Sequence, residues 1–543
     1  VNERAFSHQY NFRFAANYVT GSHAIKLGMQ DMFGTRQFTY DQNNSQYWIF
    51  NQGAPLGLYQ YAWPLADAEH LKSALGVYAQ DRWTIRNLTL NYGVRFDYHN
   101  AYVPAQNAPA IPFVPAQSYP ALTNAPNWKD INPRLGATYD LGSKHSTVLR
   151  VNWGRYVASE STATATANNP INTRVISAFR TWTDTSGNYF PDCTLTNTAA
   201  NGECGALSAP LGQTNITTHW NPATLNGWGV RPSDVELLLG VQQKLTERAV
   251  LDMQWTRHSF GNMFATQYLA TPASAYDSYC VTAPVDSRLP GGGGNQICGF
   301  ADLKPAYFGI TPNNFVTSAD SLGKVIDVYT GFDVNLNARF AGSGQGSIGV
   351  SSGRERTDYC SIASLAQIGS NTDTSAGKIY LGNYVGNNIN NSGPSANAYP
   401  SNLYCSVTPP FQPDWKGLVS YPLPWFGLRA SATWQNRPGP QILASEAAVQ
   451  ASPALGRALS SPASLVNFIA PNTLFDPRIN QVDVRLAKSL TFGRTRVQLT
   501  ASVYNLTNTN AAMVINNQYS ATWLQPKIIM QGRLIKFGFQ LDY

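Results

Sequence analysis

Polar and apolar residues alternate along this chain in runs longer than a soluble strand needs. From Leu88 to Tyr98, one face carries Leu88, Leu90, Tyr92, Val94, Phe96 and Tyr98; the other carries Thr89, Asn91, Gly93, Arg95 and Asp97. A strand turns successive side chains to opposite faces, so this period of two predicts a ribbon with one apolar and one polar side. Ile326 to Phe340 repeats the pattern, with Val328, Phe332, Val334, Leu336 and Phe340 opposed to Asp327, Asp333, Asn335, Asn337 and Arg339. A stretch of about 15 residues exceeds the roughly 5–6 of globular strands and suffices to cross a bilayer at a tilt.

The same signature predicts strands in pairs at 9–19 and 23–33, 72–84 and 87–99, 133–140 and 146–157, and 235–245 and 249–259. It continues at 326–340 and 346–356, 411–423 and 428–437, and 480–490 and 495–505, with a single strand at 530–543. Links within pairs are short: Gly21-Ser22, Arg86-Asn87, Gly142-Ser143-Lys144, Thr246-Glu247 and Pro424-Trp425. Links between pairs are long, as at 158–234, 260–325 and 357–410. Short turns on one side and long loops on the other are the habit of the periplasmic and extracellular ends of an outer-membrane barrel. A string of β-sandwich domains also alternates, but does not make every second connection long. At the C-terminus Ile535, Phe537, Phe539, Leu541 and Tyr543 carry the apolar face to the last residue, as a barrel-closing strand would, where a soluble domain tends to fray.

Composition narrows the choice. Only 13% of the 543 residues are charged and 12% are aromatic, a low surface charge for a soluble protein of this size. Mean hydropathy is −0.25, and no apolar run approaches the roughly 18–20 residues of a spanning helix. A membrane chain without such helices must satisfy its backbone within a closed barrel. Only alternate wall residues meet lipid, so hydropathy stays low. The expected fold class is therefore all-β, an antiparallel transmembrane β-barrel. The net charge of +7 is spread without a Lys/Arg cluster, which argues against nucleic-acid binding. Neither a basic n-region nor an apolar h-region follows Val1, so export is expected to be directed by sequence outside these residues.

The candidate chemistry is sparse. Six cysteines fall two to a loop: Cys193 and Cys204, Cys280 and Cys298, Cys360 and Cys405. An even count in exposed loops predicts three disulfides made in an oxidising compartment, and the spacing does not suit zinc. Gly344-Gln345-Gly346-Ser347-Ile348-Gly349 matches a dinucleotide fingerprint, but such a motif must open a helix; here it follows Phe340 and leads into another strand, so it is expected to be a periplasmic turn. His8, His23, His70, His99, His145, His219 and His258 are scattered and form no metal or nucleophile motif; they are expected at rims and loops. Trp83, Trp153, Trp255 and Trp434 lie on apolar faces, as interface anchors do. Trp182, Tyr189 and Trp220 are the loop aromatics best suited to touch a ligand. Gly291 to Gly294 reads as a flexible loop tip, and Asp184-Thr185-Ser186-Gly187 lacks the remaining positions of a calcium loop. No catalytic, cofactor or metal site is expected, and the chain is not expected to be an enzyme.

Several segments resemble TonB-dependent receptor barrels. They include Val77-Tyr78-Ala79-Gln80-Asp81-Arg82-Trp83 with the strand from Leu88 to Tyr98, and Asn132-Pro133-Arg134-Leu135-Gly136. Tyr421-Pro422-Leu423-Pro424 through Gln435, Pro438 and Gly439 is similar to the Oar-like branch of that family. So are Asp476-Pro477-Arg478-Ile479-Asn480, Asp483-Val484-Arg485-Leu486-Ala487-Lys488 and Tyr504-Asn505-Leu506-Thr507-Asn508. The resemblance implies a barrel of about 22 strands around an N-terminal plug. About fifteen strands are legible here, an odd number, so 1–543 is expected to be a partial barrel whose plug and first strands lie outside it. An incomplete, C-shaped wall with unpaired edges is the expected form. The resemblance also implies energised uptake of a large or scarce solute in the outer membrane of a Gram-negative-type bacterium. Its implied partners are outer-membrane lipid and lipopolysaccharide, a TonB-type energy-coupling protein, the barrel assembly machinery and a solute that the sequence does not name. A passive channel, or an export or adhesion barrel, is the alternative.

The assignment of faces has a direct test. Phe332→Arg should lower the yield of folded barrel, by roughly 2–4 kcal/mol if the site lies at mid-membrane, while Asn335→Arg on the lumen face is tolerated. Equal tolerance in a folding titration would refute the assignment.

Overall fold

The computed structural model describes residues 2–41, 44–141, 146–363, 368–369, 403–424, 426–447, 451–460 and 465–543. Fifteen long strands form one antiparallel wall. They are β1 (Asn2–Thr20), β2 (His23–Asp41), β3 (Leu65–Ile85), β4 (Leu88–Tyr102), β5 (Asn127–Leu141), β6 (Thr147–Val157), β7 (Ser233–Thr246) and β8 (Ala249–Gly261). β9 (Ile326–Phe340), β10 (Gly344–Asp358), β11 (Asp414–Pro422), β12 (Leu428–Arg437), β13 (Ile479–Phe492), β14 (Thr495–Tyr504) and β15 (Leu534–Asp542) complete the series. Each strand pairs with the next in a continuous meander. Among the described residues no ladder joins β1 to β15, so the sheet stands open at both.

Every expected strand is present, and several run further than alternation suggested. β3 begins at Leu65, and its ladder with β2 extends to Tyr40↔Leu65. Here the pattern is set by pairing above the membrane rather than by lipid, so Ala66, Asp67, Ala68 and Glu69 show no apolar stripe. Their carboxylates are held by Arg36, whose Nη1 donates to Asp67 Oδ2 at 3.3 Å and also to Glu69. The segments expected as plain loops carry small sheets of their own. Gln46–Asn51, Ala54–Tyr61 and Ser177–Thr181 make one, and Tyr276–Thr282 pairs with Gln296–Leu303.

The tight turns use left-handed backbone where the chain reverses, as at Gly21 (φ 56°) and Gly342 (φ 70°). The fingerprint-like segment from Gly344 is not the expected turn: it begins β10 itself, paired from Phe340↔Gly344 onward, because Gly342 at φ 70° already reverses the chain within Ala341–Ser343. Lys144 and Trp425, in two of the expected turns, lie outside the described residues.

Register fixes the faces. Trp255 pairs with Phe332, Met253 with Val334, and Leu251 with Leu336, and the β10 partners Ser352, Val350 and Ile348 extend the same rows. Trp83, Trp153 and Trp434 likewise pair with Leu90, Leu135 and Val482 on the outer side. At about 3.3 Å per residue and a tilt near 40°, Phe332 stands ~20 Å above Phe340, close to the top of an apolar band ~25 Å tall. Its ring lies 5.7 Å from that of Phe411, so it belongs to an outer aromatic girdle. Leu336, ~10 Å above Phe340, marks mid-membrane. Depth therefore refines the cost of charge on this face. Leu336→Arg should lose roughly 2–4 kcal/mol in a urea titration of the folded barrel and Phe332→Arg only about 0–1, so the comparison that tests the faces is Leu336→Arg against Asn335→Arg, and tolerance at Phe332 no longer refutes them. A larger loss at Phe332 would show the band to sit higher.

Candidate functional site

The wall opposite the lipid face is polar and internally bonded. Arg95, Asp97, Asp333, Asn335, Arg485 and Gln498 all share it by register. Arg95 Nε donates to Asp97 Oδ1 at 2.8 Å, and Asn132 Nδ2 donates to Asp97 Oδ2 at 2.7 Å. Gly76, directly across from Asp97, leaves the space that the Arg95 guanidinium fills; any side chain there would collide with it. On the far side of the wall Arg485 Nε donates to Ser502 Oγ at 2.9 Å.

Arg95, Asp97 and Asn132 line a cavity of about 570 Å³ that Arg13, Gln30, Arg134, Glu160 and Arg231 also border. Its roof is made by the chain that follows β6. Glu160 there accepts from the Thr164 N–H at 2.6 Å and caps the short helix Ala163–Asn168. That segment packs Ala165 among Leu71, Ala101 and Val103 at the top of β3 and β4. Arg231 is buried over the Trp128 ring at 5.5 Å, and its Nε has no hydrogen-bond partner among the described residues. Burial pulls its guanidinium below the ordinary value, and Glu160, Asp130 and Asp97 oppose that pull. A buried cation facing a cavity suits a polar or anionic group of a solute.

A second cluster lies on the lumen side of the β7–β8 hairpin. His258 Nδ1 is 2.7 Å from Asp234 Oδ2 and 3.6 Å from Glu236 Oε1, and its ring meets Tyr329 edge-on. Glu236 stands opposite His258 only because a bulge between Lys244 and Thr246 shifts the register. Pairing counted from the turn misses it, and the sequence gives no contiguous motif. The other histidines stay apart. His23 bonds Asp81 at 2.6 Å and stacks on Trp83 near a periplasmic turn, His70 meets Tyr102, and His99 is buried against Trp128. His145 lies outside the described residues.

The extracellular shell is tied by Cys193–Cys204, Cys280–Cys298 and Cys360–Cys405. Two of the loop aromatics picked out for ligand contact turn inward instead. Trp182 is 1% exposed and packs on Leu58 and Cys204, and Trp220 is 7% exposed against Phe264. Loop subdomains need cores of their own, and the large rings supply them. Tyr189, at 60% exposed, remains available. The Asp184 carboxylate is already filled, accepting from the N–H groups of Gly187 at 2.7 Å and Tyr189 at 2.9 Å. Beside it Glu203 accepts from Thr185 Oγ1 and N–H at 2.7 Å and from the Ser186 N–H at 2.9 Å. The Thr185 hydroxyl leads the interactions that hold its pKa down to about 2.

Residues 1–291 match the profile of a family described as "Outer membrane beta barrel domain". The fold is similar to that of the outer membrane transporter YddB from Escherichia coli, at TM-score 0.50 and 12% identity over 99% of this chain and 54% of that one. The ferric-catecholate import receptor Fiu from K12 E. coli (TM-score 0.42, 12% identity, 99% and 54%) and the FrpB iron transporter from Neisseria meningitidis (TM-score 0.42, 8% identity, 99% and 56%) are also similar. The chain thus spans about half the length of the solved transporters it matches. Among curated proteins, none matches this sequence.

Glu203 sets a pH limit on the loop it ties. Its folded value of about 2 lies below the ordinary 4.5, so its contribution is complete above 4.5 and fades as pH falls toward 2. Amide exchange at Thr185 and Ser186, corrected for intrinsic rates, should accelerate across that window. In Glu203→Gln the protection should already be reduced at pH 7, with no acid step; a wild-type profile in the variant would remove Glu203 from this role.

Proposed function

The chain belongs to the outer membrane β-barrel domain family, and on that premise we propose that it is most of the wall of a TonB-dependent transporter of the Oar-like branch, importing a large or scarce solute. The observation that carries the reading is the charged, roofed cavity on the lumen side of a long-stranded wall, with Arg13, Arg134 and Arg231 facing it. Narrow porins select by size through an open channel, whereas a roofed recess with buried charge suits recognition before passage.

The proposal includes parts beyond these residues. The free edges of β1 and β15 would leave a row of N–H and C=O groups unsatisfied in lipid, so further strands are proposed to complete the wall. A plug within the completed barrel, joined to a short coupling segment, would close the lumen at rest. A TonB-type protein would draw on that segment to open it. The long shell loops, tied by their disulfides, would collect the solute at the surface.

The test uses the complete gene product in planar bilayers and in cells. The intact protein should hold no steady conductance, and photo-crosslinking from its coupling segment should capture the cell's TonB-type protein. Arg134→Ala and Arg231→Ala should weaken retention of the imported solute without loss of folded barrel. A stable open conductance with no capture would favour the passive channel, and secretion or adhesion defects with normal import would favour the export reading.

A further inference from the structure

The acid–histidine cluster on the lumen side of the β7–β8 hairpin has a geometry that transport does not require. Asp234 and Glu236, two residues apart on β7, share that face, and His258 on β8 stands directly opposite Glu236. An antiparallel pair so arranged sets three side chains at the corners of a triangle. His258 Nδ1 is 2.7 Å from Asp234 Oδ2 and 3.6 Å from Glu236 Oε1, and one donor atom from each residue lies within 4.8 Å of the other two. Ligand atoms about 2.1 Å from one tetrahedral ion stand ~3.4 Å apart, so small side-chain rotations close this triangle on a cation.

The surroundings favour a bound cation over a self-contained ion pair. Two carboxylates face one imidazole, and no Lys or Arg forms an ion pair with either acid among the described residues. Asp234 and Glu236 are near enough to share a hydrogen bond, a contact that two carboxylates make only across a proton or a metal ion. Asp234 Oδ1 is buried and has no hydrogen-bond partner among the described residues. Arg134, whose charge reaches Glu236, lies instead over the Tyr156 ring at 4.6 Å. The His258 ring is held between Phe260, stacked at 6.2 Å, and Tyr329, edge-on at 5.7 Å, which keeps Nδ1 toward the acids. Tyr329 pairs with His258 and stands ~28 Å above Phe340, so the cluster lies above an apolar band ~25 Å tall.

We propose that Asp234, Glu236 and His258 form a binding site for a divalent transition-metal ion of the zinc class at the outer rim of the lumen. One imidazole nitrogen with two carboxylate oxygens suits a borderline ion such as Zn2+, whereas Ca2+ and Mg2+ take oxygen donors. The proton of the His258–Asp234 contact leaves to solvent as the metal takes its place on Nδ1. Three protein ligands leave a tetrahedral ion one further position. Glu236 borders a cavity of about 500 Å³ that Lys26, Arg95 and Arg134 also line, so water or an oxygen donor of a solute can fill that position. The ligands come from two strands brought into register by a bulge, which is why the scattered histidines pointed to no metal site in the sequence. The site is independent of what the lumen carries, so its failure would leave the transport reading untouched.

The experiment uses the full-length protein purified from outer membranes in mild detergent without a histidine tag, stripped of metal by a chelator and dialysed. Calorimetric titration with Zn2+ alone should saturate at one ion per chain. Co2+ in its place should give a visible absorption band that Zn2+ abolishes, and excess Ca2+ or Mg2+ should leave the band unchanged. His258→Ala, and separately the size-preserving pair D234N/E236Q, should weaken Zn2+ binding by at least about a hundredfold, since partners outside the ligand set are already worth roughly 10–100-fold. His23→Ala, which breaks the two-residue His23–Asp81 pair, should leave the titration unchanged. Folding of each variant is checked by resistance of the barrel to unheated SDS. A wild-type protein that takes up no saturating Zn2+ would overturn the proposal with no variant needed. Unchanged binding in a folded D234N/E236Q variant would also sink it, and displacement of Co2+ by Ca2+ would overturn the transition-metal assignment.

Discussion

Lipid offers no hydrogen-bond partner to a peptide group, and that constraint governs the rest of this molecule. Among the described residues no helix is long and apolar enough to cross a membrane, and the long strands are paired backbone to backbone. Each of the fifteen strands is accordingly laddered to its neighbour along most of its length. The pairing then dictates where side chains go. Once Trp255 is opposite Phe332, every other residue of both strands is committed to lipid or lumen, and a slip of one position would put Asp333 into hydrocarbon.

The two faces solve different problems. On the lipid side, the Phe332 and Phe411 rings gather near the upper end of the apolar band, and the arginines of the Thr330 and Val328 rows begin just above it. On the lumen side the charges are kept in networks such as Arg95, Asp97 and Asn132, where both Asp97 oxygens accept a hydrogen bond. Room for such long side chains on a crowded sheet comes from glycine. Tyr329 lies across Gly331 and Gly353, where a Cβ would occupy the space of its ring. Loss of packing at those positions is offset by the aromatic that covers them.

Above the membrane the logic changes again. The loops are too long to stay ordered by their ends alone, so they build small cores around buried rings such as Trp182 and Trp523 and close them with disulfides. Acids there act as internal ties: Glu203 gathers the Thr185 and Ser186 amides, and Asp302 accepts from Arg457 and from Ser460 Oγ at 2.7 Å.

The sequence by itself determined the wall, because lipid and water impose a period of two that is written residue by residue. Leu88 to Tyr98 and Ile326 to Phe340 could be placed, faced and paired from that pattern alone. Strand ends at Asn2 and Leu65 were less legible, since above the bilayer neither face is required to be apolar. What only the tertiary structure decided are the groupings that cross strands. Glu236 meets His258 through a bulge, Arg257 lines up with Arg354 through β9, and Arg231 arrives over the vestibule from the end of a long loop. Alternation tells which side a residue faces. It does not tell which residue of a distant strand stands beside it, because that depends on register and on the accumulated twist of the sheet.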